Sequence, residues 1–371
     1  MNNWTSPRPS MIDLGKKSKV ALLAGCGGGG DIMNTIPVMN LLKKLGVEKF
    51  VLADIGCKWW EFNGEMALGG EVIDLDWLQP SERLSENVAI ISKETKVVGG
   101  HGKGEYLHES LMKNVLEDTV IATISIRKGV PGIMQGFRDL IAEYGADLFV
   151  TVDIGADAFF TGTETQVQSP LIDAISILCA SELEIPGVYG VNAIGGDAEM
   201  PMAHIVRNIG MAMQKGAFIG GNGLTQEDIN TYGEILKWIP GEEVEKWPYE
   251  AAQGHFGTFY CKRLWSVEMT PAAAFTFFFD PDILREVNPI VNAIKDTKTL
   301  QQAEEIIMKD FNLFPETRLP VNIRRRSHRK FRINALAGIY LLEEILKWKR
   351  IKREFLLAQL LCLLYCSDCC E

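Results

Sequence analysis

Residues 19–31, KVALLAGCGGGGD, constrain the fold more than any other stretch. Val20 to Ala24 is an uninterrupted apolar run, and it breaks into Gly25, Cys26, Gly27, Gly28, Gly29 and Gly30 before Asp31. IMNTIPVMNLLKKLG follows with helical spacing and stops at Gly46. KFVLADI, 49–55, is then a second strand with Asp54 near its end. The pattern predicts a strand–loop–helix–strand unit of the Rossmann type. Glycine lets backbone approach a ligand closely. The first turn of the helix offers unpaired N–H groups and the positive end of a dipole. Such a loop is suited to an anion, most often a phosphate.

The same alternation continues downstream. VIDLDWL at 72–78 reads as a short strand, and VVGGHGKGEYLHESL at 97–111 as a second, mobile, glycine-framed loop. Strands are expected at 119–125, 147–152 and 187–191, with helices from Pro131 to Tyr144, from Pro170 to Leu183 and from Pro201 onward. Alternating strands and helices predict an α/β fold, a doubly wound and mostly parallel sheet. From Gly254 the pattern turns β-rich, and helices return at 281–294 and 300–309. Residues 1–17 read as a loose arm. The domain expectation is an α/β ligand-binding domain over 15–317 and a basic helical tail over 318–371.

Charge separates those two parts. The chain of 371 residues carries a net charge of −10. Residues 318–353 hold 12 Lys or Arg against Glu343 and Glu344, a net of +10, and 354–371 add three acids, so residues 1–317 sum to −17. An acidic main domain argues against nucleic-acid binding. The N-terminus has no apolar signal core, and no run reaches the roughly 18 apolar residues of a membrane span. Cys26, Cys57, Cys179 and Cys261 are scattered, as expected for a cytoplasmic protein. The tail's Cys362, Cys366, Cys369 and Cys370 have no second cluster to complete a zinc site. An unstructured tail with reactive thiols is the simpler reading.

In an open α/β sheet the ligand sits beyond the carboxyl ends of the strands. The acidic strand ends collect there: Asp31, Asp54, Asp153 and Asp157 in VDIGAD, and Asp197 in NAIGGD. Each alone could be a turn or cap aspartate. Together on one rim they suggest Mg²⁺ ligation, with Asp153, Asp157 and Asp197 as ligands. Asp153, Glu164 in its polar loop and His101 between glycines are the candidate catalytic groups. Gly25-x-Gly27-x-x-Gly30 also matches a dinucleotide fingerprint, with Asp54 placed for a ribose. Asp31 opposes that reading, because a carboxylate just past the third glycine repels a pyrophosphate unless a cation lies between them.

GCGGGGD, VDIGAD, NAIGGD and the block PYEAAQGHFGTFYCKRLWSVEMTPAAAFTFFFD together resemble an uncharacterised family, known mainly from archaea and catalogued as a domain of unknown function. The resemblance covers about residues 15–310 and brings no activity with it. The expectation from the residues is an enzyme acting on a nucleotide or other phosphorylated small molecule with Mg²⁺. An NAD(P)-dependent oxidoreductase and a non-catalytic nucleotide sensor are the alternatives. The oligomeric state is left open.

Overall fold

Nine segments of the computed structural model join one sheet. They are β1 (Val20–Gly25), β2 (Lys49–Ile55), β3 (Leu78–Arg83), β4 (Val88–Val97), β5 (Val120–Ile124), β6 (Leu148–Ile154), β7 (Gly187–Asn192), β8 (Phe218–Gly223) and β9 (Phe275–Phe279). The structure describes residues 8–26, 30–62, 65–67, 69–165, 167–239, 244–260 and 266–319. These all fall in one unit, 1–323, and the segment 324–371 lies outside the described residues. The expectations for the basic tail and its cysteines therefore lie outside them too.

The spatial order is β8-β9-β7-β6-β1-β2-β5-β4-β3. The five central strands, β7-β6-β1-β2-β5, are parallel, and the pairs toward both edges are antiparallel. In chain order the parallel core grows from β1 through β2 to β5, then returns to the other side of β1 for β6 and β7. This is the Rossmann-like, mostly parallel α/β sheet expected from the alternation. It puts a topological switch point between β1 and β6, where a crevice opens outside the strand ends.

The sheet is covered on both faces, and for that reason its central strands are apolar throughout rather than alternating. All seven residues of β6 are buried. Side chains that alternate along β1 go to opposite faces: Leu22 and Ala24 join one apolar cluster, and Ala21 and Leu23 the other. The first face is packed by α3 (Gly129–Tyr144) through Ile133, Phe137 and Leu140, and by α4 (Pro170–Glu182) through Leu171, Ile175 and Leu178. The second is packed by α2 (Ile36–Leu45), with Ile36, Met39 and Leu42. Gly46 ends α2 in a left-handed conformation, φ 102°.

Several local expectations are corrected. The arm is not loose at residues 11–17: α1 (Met11–Lys17) is a helix with Met11 buried in the core. Ser10 and Asp13 form a reciprocal capping box there, worth about 1 kcal/mol. VIDLDWL is mostly not a strand; Val72 pairs with Cys57, Leu75–Trp77 is a 3-10 turn, and Leu78 opens β3. Residues 78–97 form an antiparallel hairpin, β3–β4, that extends the main sheet. The β-rich stretch splits: Gly257–Tyr260 pairs with Ser266–Met269, whereas β9 leaves that hairpin and enters the main sheet beside β7. No helix among the described residues is long and apolar enough to cross a membrane.

Candidate functional site

The crevice between the ends of β1 and β6 holds a cavity of about 40 Å³ whose lining includes Gly30, Asp31, Trp59, Asp153, Asp197, Glu199 and Glu245. Its glycine and its acids come from four separate stretches of chain. The segment after β1 supplies Gly30 and Asp31, the end of β6 supplies Asp153, the turn after β7 supplies Asp197 and Glu199, and Glu245 comes from far downstream.

The turns that bring them together are left-handed at residues that seldom are. Gly155 and Ala156 follow β6 with φ of 103° and 87°. Ala193, Gly195 and Ala198 follow β7 with φ of 45°, 79° and 61°. A non-glycine residue in this region costs on the order of 1 kcal/mol, a strain that persists where the surroundings over-determine the backbone. Here it folds two strand ends back over the crevice. Gly155 has a steric reason as well, because a side chain there would collide with the Asp197 carboxylate. Gly30 is alike: a Cβ would run into the carboxylate of Glu245. At both positions the group that needs the close approach is one of the protein's own acids.

The acids form two overlapping sets. Oxygens of Asp153, Asp157 and Asp173 lie within 4.8 Å of one another, and so do oxygens of Asp157, Asp197 and Glu199. Asp157 Oδ2 accepts from Ser169 Oγ at 3.0 Å. Asp197 Oδ1 accepts from the Glu199 N–H at 3.2 Å. Glu199 Oε2 accepts from the N–H groups of Gln168 (2.5 Å) and Ser169 (3.2 Å). Asp153 and Asp173 are less well supplied. They are 2% and 1% exposed, and Asp153 Oδ2 and both oxygens of Asp173 meet no N–H or hydroxyl donor, Asp173 having only the Asp157 carboxyl as a hydrogen-bonding neighbour.

Burial pushes the carboxyls of Asp31, Asp153, Asp157 and Asp173 above the ordinary carboxylate range. The charges acting most strongly on Asp153 are then Asp157, Asp31, Asp197 and Glu199, all of the same sign. Such a group must hold protons or a cation, since ionised carboxylates without donors are costly in a dry site. The helix that carries Asp173, α4, is itself positioned by an acid. Glu316, fully buried, accepts from the N–H groups of Ile172 (2.7 Å) and Leu171 (3.2 Å) at the first turn of α4. Burial lifts its carboxyl to about 8 even so.

Asp31, Asp153, Asp157 and Asp197 are therefore brought to one place, with Gly30 beside them. Gly25 lies at the end of β1, where a side chain would strike the backbone of Asp31 and Ile32. Gly27, Gly28 and Gly29 lie outside the described residues. Asp54, buried at the end of β2, accepts from the Ile55 N–H at 2.9 Å and is the strongest charge on Asp31. It joins the acidic group rather than standing apart as a lone ribose ligand.

Glu164 and His101 are not among the residues lining the cavity. Glu164 is not a solvated loop acid either. Burial raises its carboxyl, but Asn208 Nδ2 (2.7 Å), the Thr161 N–H (2.8 Å) and the Thr161 hydroxyl (2.9 Å) outweigh that and hold it at about 2, and Arg207 donates to it as well at 3.1 Å. A carboxylate so stabilised is a poor base, and its place is that of a staple between its loop and α5 (Met202–Gln214). His101 is exposed, and the loop around it is pinned: Glu71 accepts from the His101 N–H (2.7 Å) and from Trp60 Nε1 (2.6 Å). Its imidazole has no demonstrated place in the crevice.

Asp173, Glu199 and Glu245 were missed by sequence reasoning. A signal existed for Asp173, a single carboxylate inside the otherwise apolar PLIDAISILCA. Glu199 stands two residues beyond Asp197 and reads as solvated, and nothing local marks Glu245. A larger depression of about 590 Å³ runs along Leu75–Arg83, but it gathers only the exposed pair Asp76–Arg83 as charged groups.

No curated protein and no solved structure matches the chain. A family model does, over residues 22–317, which takes in the sheet from Leu22 of β1 onward and every acid of the crevice. The chain thus belongs to the family described as "Protein of unknown function (DUF1152)".

Proposed function

We propose that the protein is a Mg²⁺-assisted enzyme acting on a nucleotide or another phosphorylated small molecule, with the crevice between β1 and β6 as its active site. One observation carries this reading. Buried carboxylates converge at a topological switch point, and three of their oxygens, on Asp153 and Asp173, lack an N–H or hydroxyl donor. A hard divalent cation, bound by oxygen ligands, suits that donor set. When bound, it supplies charge neutralisation and polarisation of phosphoryl oxygens.

Within this reading Asp153, Asp157 and Asp197 supply metal-binding oxygens, Asp157 converging with Asp153 in one set and with Asp197 in the other. Gly30 borders the place where phosphate oxygens would lie. Asp31 and Glu245 line the same cavity and are the groups available to give or take a proton. A cavity of about 40 Å³ accommodates ions and waters, not a nucleoside, so only the phosphoryl end of a substrate would enter it. The nicotinamide reading is weaker, because a pyrophosphate would face Asp31, and Asp54 reinforces that negative charge.

The test is a turnover screen of nucleoside phosphates, sugar phosphates and p-nitrophenyl phosphate, in EDTA and in Mg²⁺ or Mn²⁺. Metal-dependent product formation that Asp197→Asn abolishes is the expected outcome. Tight nucleotide binding without turnover would replace the enzyme by the sensor reading. A hydride-transfer product with NAD(P) would replace it by the oxidoreductase.

A further inference from the structure

We infer that the crevice is a two-ion centre bridged by Asp157, with an inner ion held by Asp153, Asp157 and Asp173 and an outer ion held by Asp157, Asp197 and Glu199. The inference rests on the metal-assisted reading and goes beyond it by adding a second ion and two ligands, Asp173 and Glu199.

Two features of the structure carry it. The acids divide into two sets, each with three oxygens within 4.8 Å, a spread that three ligands around one divalent cation can adopt, and Asp157 is the member they share. The second feature is independent of that grouping. Asp173 is 1% exposed and its carboxylate converges with Asp153 and Asp157, yet neither of its oxygens meets an N–H or hydroxyl donor; its one hydrogen-bonding neighbour is the Asp157 carboxyl, which serves only when one of the two acids is protonated. It sits on α4, surrounded by apolar residues and held in place by the Glu316 contacts at the start of the helix. A helix packed so deeply into an apolar core has no structural use for an unpaired carboxylate; Asn or Leu would fill the place at lower cost. A cation removes the anomaly.

The two positions differ in access. Asp197 and Glu199 of the outer set line the cavity; of the inner set only Asp153 does, and Asp157 and Asp173 lie outside the lining. The outer ion would therefore face substrate oxygens. The inner ion would face the cavity only on its Asp153 side, with the bridging Asp157 between it and the outer ion. In this arrangement the outer ion is the one that would polarise a phosphoryl oxygen, while the inner ion would neutralise and fix Asp153 and Asp157. The unequal surroundings also predict unequal exchange, with the inner ion slower to leave than the outer.

Mn²⁺ provides the probe, used on the full-length protein. Equilibrium dialysis should give two Mn²⁺ per chain, with a spin-coupled signal in electron paramagnetic resonance at saturation. Asp173→Asn should retain one ion with an uncoupled six-line signal, and Glu199→Gln likewise. A single Mn²⁺ in the wild-type protein would overturn the two-ion centre while leaving the metal-assisted reading standing. No Mn²⁺ at all would remove both. Two coupled ions persisting in Asp173→Asn would refute the inner ligand set. The wild-type measurement needs no variant to fold, so the stoichiometry decides the main point by itself.

Discussion

Replacing Asp153 by Asn should have opposite effects on the protein with and without metal. The side chain keeps its shape and loses its charge. Oxygens of Asp157 and Asp173 lie within 4.8 Å of an Asp153 oxygen. Like charges at that distance repel by about 3.5 kcal/mol at an effective dielectric constant near 20. Proton uptake relieves part of this, so the recoverable amount is smaller, on the order of 2 kcal/mol. The sign follows from the raised carboxyl of Asp153. A carboxyl raised on folding contributes stability that is fully present below its unfolded value, about 3.9, and is lost as pH rises through the folded one. Metal-free wild-type protein should therefore weaken from acidic to alkaline pH, and Asp153→Asn should weaken less. At pH 8 in EDTA the variant should melt higher by roughly 4–8 °C, taking about 2–4 °C per kcal/mol for a large domain. Mg²⁺ at a hundred times its dissociation constant adds about 2.7 kcal/mol to the wild type. The variant should gain little, so the order of the two melting points reverses. Differential scanning fluorimetry across pH, with EDTA and with Mg²⁺, measures this. A variant that melts below the wild type in EDTA at pH 8 would show that the acids do not repel. Equal Mg²⁺ gains would show that Asp153 is not a ligand.

Gly155→Ala should destabilise by roughly 1–3 kcal/mol, because φ is 103° there and the new methyl group meets the Asp197 carboxylate. Chemical denaturation reads the loss, and an unchanged midpoint would mean that the turn after β6 gives way freely. Glu164→Gln should flatten the acid limb of stability. A carboxylate held at about 2 contributes stability that is present above about 4.3 and disappears as pH falls toward 2. Acid titration followed by circular dichroism should show wild type and variant converging near pH 2. Metal-dependent turnover, once found, should survive this change, and its loss would restore Glu164 as a base.

Features that repeat within a few residues were legible in the chain alone. Apolar runs such as VALLAG and LFVTVDI mark strands buried on both faces, and their alternation with helices leads to the Rossmann-like order. That order in turn places Asp31, Asp153 and Asp197 on one rim before any coordinate is known. The tertiary structure decided what depends on pairing across the chain. Phe275–Phe279 looks like part of a local antiparallel extension, but it pairs with β7 and β8, with chain positions far upstream setting its register. Glu164 and His101 looked suitable in their loops. Glu164 is instead taken up by Asn208 and Arg207, and the His101 loop by Glu71. Asp173, Glu199 and Glu245 joined the site because a helix packed on the sheet, a left-handed turn and a distant segment all point into one crevice. Periodicity reports which side of an element is buried. It carries no information about which other element covers that side, and the chemistry of this crevice depends on that.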